Sequence, residues 1–578
     1  MDQATKNTSD LEKSRHSLAH ILAMAVIRLY PETKIGIGPA IENGFYYEVD
    51  TGKKLGFKDL EKIEIEMKKI IAEALPFKQF FSPKDQAFDT LLQSGQIYKS
   101  ELLQQIPDEQ VSFFRTGEFF DLCRGPHVEN TSLVDPFKLT KISTTNWLGE
   151  KSRPKLQKIE GVSFATENEL NEFLALQKEL ALRDYKKISK AMHLMAFSEE
   201  AGTEFITWLP LGTTTKEVLT EYIFDILQLQ GYKRIQTPEI SKFTLYRDYF
   251  EDESLKKTYL PSIKNNDQEF LLRKNAFYHH GLVFKSSKRS YKSLPAKFSE
   301  LIDSYYLQEK HGNFNIEHKE GIQTHCYLNE DQVISEVENS LLLLEKIYGN
   351  LNVSGIQIQA RIPDPKDDTH TAEQARTAVT FLQKALANMK KIAKVSTENI
   401  CKEGAELSFI IKDIHGINFE IASLKVDTIS GVKDKLIYTN KSNQNRFPVI
   451  LQLSVISSFE NLFKILLEQN LGAFPIWLAP IQVIVIAISE KYNHSAQEVF
   501  NLLKKEGIRA EINIKDSPMQ AKIRSAEQNA IPYMLIVGEK EIRTNSVSIR
   551  QRNGQELGLI RIEEFIDRLD ADLFPKIA

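Results

Sequence analysis

The chain has 578 residues, of which 42% are hydrophobic, 26% charged and 10% aromatic, values ordinary for a folded protein and far from those of disordered or fibrous chains. At roughly 100 to 200 residues per domain this length implies three or four domains. The formal net charge of -4 gives no overall basic footprint, so any nucleic-acid contact has to rest on local patches.

The polar start MDQATKNTSDLEKSR is unlike a secretory leader, and no apolar run is long enough to span a membrane. Cys123, Cys326 and Cys401 are too few and too scattered for a disulfide framework. A cytoplasmic protein with reduced thiols and no membrane partner is expected.

Residues 1–12 read as a flexible tail. Leu18, Leu22, Ala25, Val26 and Leu29 then recur at helical spacing, predicting a helix from Glu12 to Leu29 that ends before Pro31. The turn-punctuated IGPAIENGFYYEVD, a helical run around Leu60 to Ala74 and a strand-rich stretch to Phe164 imply an α+β domain over 13–165. Residues 166–188, rich in charge, Leu and Ala and free of Gly and Pro, predict one long joining helix. Residues 189–473 mix helices such as Lys216 to Leu229 with short strands and lack a βαβ rhythm, which favours an antiparallel sheet flanked by helices. Over 474–578 the strand IQVIVIAI, the helix SAQEVFNLLKKEG, the strand AEINI, a helix around Gln520 to Gln528 and the strand YMLIVG alternate, predicting an α/β domain with a largely parallel sheet. The whole chain is placed in the α+β class.

Two short segments carry candidate chemistry. His16 and His20, four apart on the first predicted helix, share one face about one turn apart. In DLCRGPHV, Cys123 and His127 stand four apart across a Gly-Pro turn, where the backbone can fold both side chains to one point. Either half alone is ordinary, since histidine pairs occur on helix surfaces and a cysteine is often plain core filler. Together they make a four-group site, and imidazole and thiolate are also the ligands that zinc prefers.

The segments RHSLAH, IGPAIENGFYYEVD, YKSELL and GEFFDLCRGPHV, in this order, resemble the editing domain of threonyl-tRNA synthetases, which is shared with freestanding alanyl-tRNA editing proteins. The resemblance covers 13–165 and implies a catalytic set of His16, His20, Cys123 and His127, with Lys99, Asp121 and Tyr47 in support. It implies hydrolysis of the ester between an amino acid and the terminal ribose of tRNA, and in the synthetase form no resident metal.

From ALRDYKKISKAMHLMAFSEEAG through WLPLGTTTKEVLTEYI, GYKRIQTPEI and KRSYKSLP, residues 189–473 resemble the class II core of the same family. Matched to the family's motifs, Tyr306 stands where an arginine grips the ATP α-phosphate, Gln308 where a glutamate stands, and Asn461 where a second ATP-binding arginine stands. Neither tyrosine nor asparagine offers a permanent charge or a bidentate fork. The family's zinc, held by one cysteine and two histidines, meets Phe277, His325 and Gln452 here, with His280 matching a family histidine and His279 before it. Glu420 and Lys425 replace glutamines. The resemblance thus implies a scaffold with a catalytically degenerate core.

Residues 474–578, with GAFPIWLAPIQVIVIAIS, KKEGIRAEINI and SVSIRQRNGQELG, resemble the family's anticodon-binding domain, which implies that Lys540, Glu541 and Arg550 sit where tRNA bases are read, with Arg552 nearby in the tRNA-binding set. By residue type alone, Arg550 and Arg552 would be a solvated strand face. The expectation is an editing hydrolase that clears threonine tRNA mischarged with serine, acting as a homodimer. The alternatives are an active threonine-tRNA ligase with divergent motifs, or a non-catalytic tRNA-binding regulator.

Overall fold

The computed structural model describes residues 2–202, 205–249, 259–310, 313–364, 366–367, 369–396 and 400–573. The chain forms two compact units, 1–179 and 180–578, and its class is α+β. Among the described residues no helix is long and apolar enough to cross a membrane.

The first unit is built on the helix α1 (Asp2–Leu29), where Leu18, Leu22, Ala25 and Val26 are fully buried as their spacing requires. Ala19, Ile21 and Ala23 are buried as well, so the helix is enclosed on more than one face. In chain order follow β1 (Lys34–Ile35), β2 (Ala40–Ile41), β3 (Gly44–Asp50), α2 (Phe57–Ala72), β4 (Lys78–Pro83), α3 (Lys84–Gln93), α4 (Ile97–Gln104), β5 (Gln110–Thr116), β6 (Phe119–Leu122), β7 (Phe137–Asn146) and β8 (Lys155–Ser163). An antiparallel sheet runs in the order β1-β3-β8-β7 with β2 against β3, and a second antiparallel sheet runs β4-β5-β6. Phe45, Tyr47 and Val49 of β3 join α1 and α2 in one core.

The second unit holds an eight-stranded sheet in the order Lys233–Arg234, Ala296–Lys310, Asn313–Leu328, Val449–Ile456, Asn418–Asp427, Gly404–Lys412, Gln357–Arg361 and Lys394–Val395. The outermost pairing at each end is parallel and all others are antiparallel, as the absence of a βαβ rhythm implies. A five-stranded sheet is formed by Ala510–Asn513, Val483–Ala487, Tyr533–Val537, Ser546–Gln551 and Glu556–Arg561.

Four sequence expectations are corrected. The polar start is not a loose tail, because α1 begins at Asp2. Residues 2–12 contain neither Gly nor Pro, so the buried half of the helix can propagate through them at little cost. The long helix over 166–188 is two helices, α5 (Glu167–Leu182) and α6 (Tyr185–Ala191). Asp184 separates them by accepting from the Lys186 amide at 2.9 Å as an N-cap, while Arg183 donates to the carbonyls of Glu468 and Gln469. The stretch before Phe164 contains α3 and α4 as well as strands. In the last sheet only the first three strands are parallel, since Ser546–Gln551 and Glu556–Arg561 follow one another as a hairpin without a crossover helix.

Replacing Leu22 by Ala removes a side chain with no exposure from the α1 core and is expected to destabilise the first unit by about 2–5 kcal/mol. Hydrogen exchange read on α1 and β3 peptides should quicken while the second unit's rates stay unchanged.

Candidate functional site

The first unit brings together all seven residues of the sequence-level site. α1 supplies His16 and His20, and the loop after β6 supplies Cys123 and His127. Cys123 Sγ lies 3.2 Å from His16 Nε2 and 3.3 Å from His127 Nε2. The rings of His16 and His127 stack with centroids 4.3 Å apart, and the His20 ring meets that of His127 edge-on at the same distance. Phe77 stacks on His127 at 4.8 Å with the two planes 2° apart, which fixes the plane of that imidazole. Gly125 makes the loop geometry possible: its φ is +69°, and a Cβ there would come within 2.8 Å of the Phe114 ring.

Behind the cluster sits a buried charge pair. Asp121 of β6 lies 2.6 Å from Lys99 Nζ of α4, accepts from the Tyr47 hydroxyl of β3, and has Oδ2 3.6 Å from His20 Nε2. Lys99 is therefore a partner of the carboxylate, held 4% exposed. An ionised Asp121 draws the proton of His20 to Nε2, leaving Nδ1 bare, and that buried nitrogen has no hydrogen-bond partner. Two further contributors could not be read from residue type. The Pro126 carbonyl lies 3.2 Å from His16 Nδ1, and the Ser17 hydroxyl lies 3.0 Å from His127 Nδ1.

Burial sets the protonation states. It lowers the pKa of His16, His20 and His127, and the neighbouring imidazoles push His20 and His127 further down. Burial also pushes the Cys123 thiol up to about 11. Near neutral pH the cluster thus holds three uncharged imidazoles and a thiol, a set able to accept a proton from water.

The same donor set also suits zinc. The four ligand atoms lie within 4.8 Å of one another, and the second nitrogen of each ring faces Pro126, Ser17 or Asp121, as in histidines oriented to hold a metal. The residues fit the ion. With all four bound, however, the tetrahedral shell is complete, as in structural sites, and no position is left for a reacting water.

The second unit is different. An open cleft of about 1700 Å³ is lined by Gln308, Glu317, Lys319, Glu420, Glu460 and Asn461 among others, and no arginine lines it among the described residues. Tyr306 stands opposite Glu317 across the Ala296–Lys310 and Asn313–Leu328 pairing. Burial raises the pKa of Glu420 and Glu460, although the Arg361 guanidinium lies 3.3 Å from Glu420 and the Ser458 hydroxyl donates to Glu460 at 2.6 Å. Lys464 is 2.7 Å from Asp413 and His318 is 2.7 Å from Asp303, so these bases are already matched.

The three positions matched to a metal by resemblance do meet. The Phe277 ring lies 5.6 Å from that of His325, which is paired across strands with Gln452. The Gln452 amide donates to Asp427 at 2.8 Å. His325 Nδ1 is 2.8 Å from His280 Nδ1, and His280 Nε2 is 3.1 Å from Glu300, which pairs with Arg273 at 3.0 Å. His279 instead meets the Ser241 hydroxyl at 2.7 Å. Lys425 pairs with Glu403 at 2.8 Å.

Of the four residues matched to the tRNA-binding set, Lys540 is exposed. Glu541 is 6% exposed and accepts from the Ser548 hydroxyl at 2.6 Å. Arg550 pairs with Glu527 at 3.1 Å and Glu556 at 3.4 Å. Arg552 lies beyond the strand that carries Arg550, and donates to the Phe474 carbonyl at 2.7 Å. It therefore fixes the chain, and the shared strand face is corrected.

Comparison with known proteins finds a family domain in each unit. Residues 482–572 match the model of an anticodon binding domain, and residues 111–160 match that of the threonyl and alanyl tRNA synthetase second additional domain. The threonine-tRNA ligase of Halalkalibacterium halodurans is 32% identical over 566 residues, covering 96% of this chain and 88% of the relative. That of Thermus thermophilus is 32% identical over 576 residues, covering 96% and 87%. Among solved structures, the RNA binding domain of threonyl-tRNA synthetase from Cryptosporidium parvum superposes with a TM-score of 0.62 at 23% identity, over 68% of this chain and 99% of that one. A threonyl-tRNA synthetase described as ThrRS-1 from Aeropyrum pernix gives 0.58 at 17% identity, over 68% and 94%. Identity at this level over nearly the whole length shows that the chain belongs to the threonyl-tRNA synthetase family.

Proposed function

We propose that this protein is an aminoacyl-tRNA hydrolase that removes serine wrongly esterified to threonine tRNA, and that its second unit has lost amino-acid activation. The observation that carries the reading is a contrast between two clefts. One holds three neutral imidazoles and a thiol converging near a buried carboxylate; the other is lined by Asn461 and Gln308, with Tyr306 two residues before Gln308 on the same strand, and Asn461 and Tyr306 stand where the family holds a triphosphate with guanidinium groups. By analogy with removing one preorganised donor to a developing charge, each lost arginine costs about 3 kcal/mol of transition-state stabilisation. The need for such an activity is physical: serine lacks one methyl of threonine, worth about 1–3 kcal/mol in a binding pocket.

The chain's own groups suffice for the ester. A water against a bare ring nitrogen gives that nitrogen its proton as the water oxygen bonds to the ester carbonyl carbon. The tetrahedral intermediate then breaks its bond to the ribose oxygen, which takes the proton, and serine and uncharged tRNA leave. Asp121 and Lys99 hold His20 in its tautomer. If zinc were bound, His16, His20, Cys123 and His127 would hold it, and with its shell filled by all four it would play a structural part rather than a Lewis acid's. The reading keeps the hydrolysis metal-free, because a filled coordination shell has no place for the water. tRNA is the partner, through the anticodon-binding domain, with Lys540, Glu541 and Arg550 nearest the bases. The protein is taken as a cytoplasmic homodimer.

Purified protein is expected to deacylate Ser-tRNA of the threonine type and to form no Thr-tRNA from ATP and threonine. His20→Ala should slow deacylation by about 10²–10⁴. Robust charging by the wild-type chain, or full activity of the variant, counts against the reading.

Because all three imidazole pKa values lie below the ordinary histidine value, the bases stay neutral as pH falls through about 6.5. The enzymatic rate, corrected for spontaneous ester hydrolysis, is expected to show no inflection centred on about pH 6.5. A fall with a midpoint near 6.5 would contradict it. Dialysis against a chelator, checked by metal analysis of the protein, is expected to leave the rate unchanged.

A further inference from the structure

Ser17 lies between the catalytic histidines in sequence, is wholly buried, and has no part in the hydrolysis described above. A hydroxyl has one hydrogen and two acceptor lone pairs. Ser17 Oγ donates to the Lys13 carbonyl one turn earlier at 2.8 Å, a frequent bond for serine in a helix. The amide of Val128 donates to the same oxygen at 3.1 Å. The third neighbour is His127 Nδ1 at 3.0 Å. With its hydrogen on Lys13 and one lone pair on Val128, the oxygen can meet His127 only as an acceptor, so Nδ1 is the protonated nitrogen and Nε2 is bare.

His16 reaches the same state by another route. Its Nδ1 is 3.2 Å from the Pro126 carbonyl, which can only accept. Both rings therefore turn unprotonated Nε2 atoms toward Cys123, at 3.2 and 3.3 Å. The sulfur takes the Gly125 amide at 3.2 Å and has a single hydrogen to give. Two lone pairs share one donor. One of these two Nε2 atoms is left to receive a proton from water, beside the bare His20 Nδ1, and the stacked Phe77 keeps His127 from rotating out of that role.

We infer that Ser17 is a positioning residue for the hydrolysis: by accepting from His127 Nδ1 it selects the tautomer that leaves Nε2 bare inside the cluster. The inference rests on the hydrolase reading of the site. Without the hydroxyl, His127 loses its acceptor and can place its proton on Nε2, where it donates to Cys123 and closes the lone pair to water.

The test has a spectroscopic arm and a kinetic arm, both on the full chain. With ring nitrogens labelled with 15N, and the signal assigned through His127→Gln, wild-type His127 at pH 7.5 is expected as the Nδ1–H tautomer. Ser17→Ala is expected to raise the Nε2–H population and to lower kcat for deacylation about 10- to 100-fold, with KM within about twofold. Ser17→Thr, which keeps the hydroxyl, should restore most of kcat. An Nε2–H tautomer in the wild type overturns the inference whatever the variants do, as does a Ser17→Ala protein with unchanged kcat beside an active wild type. A wild-type chain that hydrolyses no mischarged tRNA sinks the hydrolase reading itself, a result distinct from either of these.

Discussion

A carboxylate almost sealed from water ties the first unit together. Asp121 is 2% exposed, and an isolated charge in such a place would be untenable. It persists because Lys99, Tyr47 and His20 surround it, and these come from α4, β3 and α1. Breaking a buried pair of this kind leaves an uncompensated charge at about 3–5 kcal/mol, so three elements are held in register by one oxygen pair. The same grip orients an imidazole, which is how an electrostatic constraint on folding becomes a constraint on chemistry.

Around that charge most polar groups of the first site are matched, and His20 Nδ1, which has no hydrogen-bond partner, is buried among the other imidazoles. In the second unit the open cleft is lined by both signs: Glu420 and Glu460 bear raised pKa values, while Arg361 pairs with Glu420 at 3.3 Å and Lys464 with Asp413 at 2.7 Å. A shared ancestry accounts for the scaffold of both sites, while side-chain chemistry separates what each can do.

Much of this was legible in the sequence. The i, i+4 spacing of His16 and His20 and the Gly-Pro turn between Cys123 and His127 led to groups that do converge. The helical stripe of α1 and the antiparallel character of the large sheet followed from periodicity and the missing βαβ rhythm. What escaped depends on contacts far apart in sequence. Nothing in the type of Ser17 or Pro126 says that one holds His127 and the other His16, because those bonds span 110 residues. Composition misled at residues 2–12, where polarity without Gly or Pro is compatible with both tail and helix. The bond from the Arg552 guanidinium to the Phe474 carbonyl, 78 residues away, likewise has no signature in the sequence.

The ring of Phe277 has one more implication, for reversibility. A cysteine in that place would face His325, while the third matched position would still offer only the amide of Gln452, a poor donor to zinc that is tied to Asp427. On the reading proposed above, a metal held by these three positions returns only through two replacements together, so stepwise mutation carries the site away from its ligand set more readily than back.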